Sequence, residues 1–142
     1  MLPLLANLSP NAAILLFTLG ILLTAVEMNR PGMVIPGAAG LLLSLLAAAS
    51  LAAHHPAKEA VLWTASLVVL LMWNMRRSTM VRWLAAVAFT SGLIVSIAKL
   101  LPAASGARIS VWAAVLSGLI LGAGTTVLTR IAQRARQNKG LD

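Results

Sequence analysis

Five apolar runs divide this chain, each close to the roughly 20 residues a helix needs to cross a bilayer. They span Asn11 to Met28, Ile35 to Ala53, Glu59 to Met75, Val81 to Leu101 and Ser110 to Thr129. None shows the alternating polarity of a barrel strand. In hydrocarbon a backbone N–H or C=O must find its partner within its own segment, so such runs become helices. The expected fold is all-α: a polytopic transmembrane bundle of about five helices, forming one membrane domain over residues 1–142. A four-span alternative requires the first two runs to fold as a shallow re-entrant hairpin. The third run is the shortest and is expected to tilt little or to thin the bilayer locally.

Composition narrows the chemistry. Residues are 60% hydrophobic and only 10% charged, against about 25% charged in a soluble domain. With no cysteine in the chain, disulfides, thiol catalysis and thiolate-bound metals are excluded. No Lys or Arg precedes the first run, which argues against a cleaved signal peptide, since that opens with a basic segment. The acids are Glu27, Glu59 and Asp142, too few and too scattered for a paired-carboxylate site. No Ser/His/Asp set, phosphate loop or dinucleotide fingerprint occurs. His54-His55 precedes Pro56, but adjacent side chains diverge, and a metal needs three or four converging ligands. Neither an enzyme, a metal nor a cofactor is expected.

Net charge is +8, and its distribution explains it without nucleic acid. Five crossings gather Arg30, Arg76, Arg77, Arg82, Arg130, Arg134, Arg136 and Lys139 on one side, and Lys58, Lys99 and Arg108 on the other. Basic residues mark the cytoplasmic side. The expectation is a multi-pass protein of the cell inner membrane, N-terminus outside and C-terminus in the cytoplasm, with residues 130–142 as a basic cytoplasmic tail. The tryptophans agree: Trp63 and Trp112 open runs at the outer face, and Trp73 and Trp83 flank Arg76-Arg77 at the inner face. Arg76, Arg77, Arg82, Arg130, Arg134 and Arg136 are expected to set topology and to touch anionic lipid. Lys99, two residues before the end of the fourth run, is expected to snorkel outward.

Small residues four apart let helices approach closely. Gly118 and Gly122 do this on the fifth run, Ala88, Gly92 and Ser96 on the fourth, and Gly40, Ser44, Ala48 and Ala52 on the second. The spacing does not say whether the partner helix is in this chain or another.

The sharpest local signal lies between the first two runs: Glu27-Met-Asn-Arg-Pro31-Gly32-Met-Val-Ile-Pro36-Gly37-Ala-Ala-Gly40. A carboxylate near hydrocarbon calls for a partner or a role. Two Pro-Gly pairs call for a fixed bend. Pro31 and Gly32 suit a tight turn, and Pro36 suits the first turn of the next helix. The Glu27 carboxylate is then expected to accept from the amides around Gly37 to Gly40, an internal clamp at the positive helix end. Arg30, three residues on, contributes little as an exposed ion pair.

With these residues in place, the segment resembles the membrane segment of the NfeD-like proteins, the nodulation-efficiency family. Glu27, Pro31, Gly32, Gly37 and Gly40 stand where that family's pattern has its Glu, Pro and Gly residues. Leu19-Gly20-Ile21-Leu22-Leu23 and the basic exit from Arg130 to Gly140 fit as well. Val34 departs where a third glycine is frequent, and Asn29-Arg30 is more polar than usual. The resemblance is specific over Gly20 to Gly40 and elsewhere is one of hydropathy. It implies a stomatin-like or flotillin-like partner. It also implies an N-terminal protease and a C-terminal OB-type barrel in many members; the expectation here is the membrane module alone.

Three functions compete. The first is a non-catalytic scaffold or accessory protein that packs against a partner's helices, with membrane lipid and membrane protein subunits as partners and no nucleic acid. The second is an accessory subunit of a larger membrane complex with no stomatin-like component. The third is a small proton-coupled exporter using Glu27, disfavoured because the acid is near a helix end and no aromatic cage accompanies it.

Overall fold

The computed structural model describes residues 8–29, 32, 34–74, 79–102 and 106–140. Five helices follow one another: α1 Pro10–Asn29, α2 Val34–Ala52, α3 Lys58–Asn74, α4 Thr79–Ala98 and α5 Val111–Asn138. No strand occurs among the described residues. α1, α2 and α5 are each long and apolar enough to cross a membrane, and α4 carries a shorter apolar stretch, Leu84–Ala98.

The helix ends follow local chemistry. Ser9 caps α1: its side-chain oxygen accepts from the Ala12 amide at 3.3 Å, and Pro10 occupies the first helical position, where a missing N–H costs nothing. Glu59 sits in the first turn of α3, where an acid complements the helix dipole. The Ser110 amide, at the start of α5, donates to Asn11 Oδ1 at 2.9 Å, tying α5 to α1 across the sequence. The Ala57 amide donates to the Leu100 carbonyl at 2.9 Å, tying the α2–α3 connection to the α4–α5 connection. His55 takes φ +52° as the chain leaves α2, and Gly140 takes φ +63° as it leaves α5. Such left-handed residues stop helices.

Every boundary shifts by at least one residue, and three of the shifts bear on the site. α2 opens at Val34 rather than Ile35. α4 ends at Ala98, which puts Lys99 in the turn beyond it, exposed. α5 does not stop near Thr129 but runs unbroken to Asn138, because Ile131-Ala132-Gln133-Arg134-Ala135-Arg136 are good helix formers and nothing breaks them before Gly140.

α2 packs on α1, α1 on α5, α5 on α4 and α4 on α3. α3 then returns toward α1: Leu71 of α3, Leu93 of α4, Leu121 of α5 and Ile21 of α1 form one buried cluster at the middle of the bundle. A second cluster closes the end where α1 begins. It joins Ile14, Leu51, Ala60, Ile97, Leu101 and Ala114, at least one from each helix or its flank. Four threonine hydroxyls inside the bundle are satisfied by their own helices, whereas the buried Ser117 hydroxyl has no hydrogen-bond partner among the described residues. Thr18, Thr64, Thr125 and Thr129 donate to the carbonyl four residues earlier, at 2.6–2.8 Å, which satisfies a hydroxyl in hydrocarbon. The outward faces are plainly apolar, with Ile35, Leu42 and Leu45 of α2 and Leu62 of α3 exposed. Trp63, Trp73 and Trp112 are exposed.

Candidate functional site: the α1–α2 junction

Glu27 is two residues from the end of α1, and Gly37 is the fourth residue of α2. The carboxylate lies directly on the glycine: a β-carbon at Gly37 would coincide with it. Glu27 is half-buried and Gly37 buried. Because α2 opens at Val34, the amides from Ala38 onward serve the helix's own ladder, which leaves Gly37 as the one amide of the expected set without an intrahelical acceptor. The carboxylate packs against a surface that only glycine provides. Gly32, between the helices, takes φ +113°, a conformation L side chains adopt at a cost. Pro36 is the third residue of α2, within its first turn. Pro31, Arg30, Arg76 and Arg77 lie outside the described residues, as do the side chains of Arg82 and Trp83 in the first turns of α4.

One turn deeper, the two helices touch backbone to backbone. A β-carbon on Gly40 would stand 2.6 Å from the Gly20 carbonyl oxygen and 2.7 Å from the Thr24 amide. One on Gly20 would stand 2.7 Å from the Gly40 carbonyl oxygen and 2.8 Å from the Ser44 amide. The flanking hydroxyls match: Thr24 donates to the Gly20 carbonyl at 3.0 Å, and Ser44 to the Gly40 carbonyl at 2.8 Å. Glycine and a hydroxyl residue four apart on α1 thus face glycine and a hydroxyl residue four apart on α2. Gly20 and Thr24 were legible by that spacing, which repeats the Gly40–Ser44 spacing, yet reasoning from the second run alone passes them over. On α2 the small-residue face also turns away from the expected line. Ala48 and Ala52 are exposed while Ala47 and Leu51 are buried, because spacings of four alone drift off a contact stripe that alternates three and four.

The other small residues find partners within the chain. Gly118 sits against Ile94, and Gly122 against Thr90, both on α4. Gly92 meets Leu67 of α3 at 3.2 Å from where its β-carbon would be. Ser96 lines a cleft shared with Glu59, Trp63 and Lys99. Ala88 is exposed and belongs to neither contact. Arg130, Arg134 and Arg136 are exposed on the last turns of α5. Arg136 lines a cleft of about 430 Å³ with Asn29, Thr129 and Gln133. Among the described residues no cluster of three metal-ligating side chains occurs.

A bundle whose junction acid and glycines are packed into its own helix crossings defines a polytopic membrane module. The chain belongs to the NfeD family: residues 11–131 match the NfeD integral membrane domain. No curated protein and no solved structure matches it.

Proposed function

We propose that the protein is a membrane scaffold or accessory protein that docks its helices against those of a partner, a stomatin-like or flotillin-like protein being the partner that the family resemblance suggests. The supporting observation is where its distinctive residues are used. Glu27, Gly37, Gly40, Gly118 and Gly122 are all occupied by contacts within the chain. What α2 offers outward is Leu41, Leu42, Leu45 and Leu46, a surface with nothing to react and much to pack. In lipid such a surface associates by close packing rather than by the hydrophobic effect. The excess of Lys and Arg on one side supports an outside N-terminus and a cytoplasmic basic tail.

The test is purification of the tagged protein from native membranes in mild detergent, with mass spectrometry of what accompanies it. The expected result is one integral membrane protein at fixed stoichiometry. Transport of a substrate by the protein alone, lost in Glu27→Gln while the bundle stays folded, would replace this reading with the exporter.

A further inference from the structure

We propose that the groove between α4 and α5 seats one acyl chain of an anionic phospholipid, with its headgroup phosphate held at Arg130. The groove has a volume of about 460 Å³, and its walls include Val87, Thr90, Ile94, Leu119 and Ala123, with Arg130 at one end. It exists because Gly122 lets Thr90 sit on α5, which brings the helix axes close and leaves a furrow along their outer side.

The lining polar atoms are already used. Thr90 donates to the Ala86 carbonyl at 2.6 Å, Ser91 to the Val87 carbonyl at 2.6 Å and Thr126 to the Gly122 carbonyl at 2.7 Å. Bonded to their own helices, these residues present methyl and methylene surface to the groove, which suits a hydrocarbon chain rather than a polar ligand. The charge is at one end only. Arg130 closes the groove, and Arg134 follows one turn later, exposed. α4 begins at this same end, so its positive dipole terminus adds to the field, and Arg82 occupies the register position one turn before Ala86. A hydrocarbon furrow ending in cations at the level where α5 leaves the bundle has the charge pattern of an anionic lipid. The apolar cleft among α1, α2 and α3, about 400 Å³, has no charged residue in its lining and so nothing to select a headgroup.

The test uses the whole protein in nanodiscs with phosphatidylglycerol carrying a photoactivatable acyl chain, and native mass spectrometry of the detergent-solubilised protein with phosphatidylglycerol or phosphatidylcholine. In the wild-type chain, adducts are expected on Val87, Ser91, Leu119 and Ala123. Arg130→Gln is expected to lower phosphatidylglycerol retention about fivefold, as one interfacial cation contributes about 1 kcal/mol, and to leave phosphatidylcholine retention unchanged. Ala123→Phe is expected to remove retained lipid while helicity by circular dichroism persists. Adducts spread evenly over α2 and α3, equal retention of the two lipids, or a polypeptide cross-linked along the groove in native membranes would each overturn the proposal. The wild-type adduct map decides the matter even where a variant fails to fold.

Discussion

Gly37 and Gly40 are both crowded, but by different things, and the difference is testable. The neighbour of Gly37 is the end of the Glu27 side chain, whereas the neighbours of Gly40 include the backbone of Gly20 and Thr24. Replacing a helical glycine by alanine gains about 1 kcal/mol of propensity, so a net loss at either site measures the clash itself. Overpacking costs about 1–3 kcal/mol, which exceeds that gain over most of its range. A side chain can move away; a backbone cannot without parting the helices. Gly37→Ala is therefore expected to lower thermal stability in detergent, and Glu27→Ala in the same chain to restore part of the loss. Gly40→Ala is expected to lose as much or more and to regain nothing from Glu27→Ala. Additive effects of Gly37→Ala and Glu27→Ala, read as a double-mutant cycle, would mean that the two groups do not meet. Gly32 differs again: no atom lies within 4 Å of its would-be β-carbon, so Gly32→Val is opposed by backbone strain alone, on the order of 1–3 kcal/mol. Gly32→Val and Gly37→Val are both expected to damage the bundle more than Glu27→Gln, which keeps the side chain's volume.

At the level of elements, each close helix pair rests on one or two glycines. α1 and α2 meet at Gly20 and Gly40, α4 and α5 at Gly118 and Gly122, and α3 and α4 at Gly92. Without a hydrophobic driving force between helices in lipid, close approach is what holds such pairs together. Gly122→Ala conflicts with the Thr90 side chain, which lies well inside contact distance. It is expected to lower the melting temperature by several degrees, and Thr90→Ala to relieve it; cross-linking of cysteines placed on α4 and α5 would show whether the pair has separated. The Gly118–Gly122 pattern could be read from the sequence, but its partner helix could not. That partner depends on which helices the short connections place side by side, as when Ala57 bonds to Leu100. Spacing alone also does not tell which small residues pack within the chain: Ala88, Ala48 and Ala52 are exposed. Small residues are a requirement of close packing, and lipid-facing alanine meets no penalty. What was plainly legible was the succession of helices, because backbone satisfaction in hydrocarbon permits nothing else. The hidden part of the junction was how closely the Glu27 carboxylate packs on Gly37, because that contact depends on the approach of two helices rather than on spacing within one.

For the molecule as a whole, the sequence of ends is what the account depends on. α1 begins, α2 ends, α3 begins, α4 ends and α5 begins around a single buried cluster, so the helices alternate in direction and the two termini emerge at opposite ends. The acid at position 27, the glycine crossings and the α4–α5 groove all take their depth in the membrane from that alternation. The chain has no cysteine, so a single introduced thiol reports one position without background. Ser9 and Gln137 are both exposed, one before α1 and one in the last turn of α5. Labelling of Ser9→Cys and Gln137→Cys by a membrane-impermeant maleimide, in intact spheroplasts and after permeabilisation, should mark position 9 in both conditions and position 137 only after permeabilisation. Both thiols reacting from the same face of the membrane would contradict a bundle of five alternating spans.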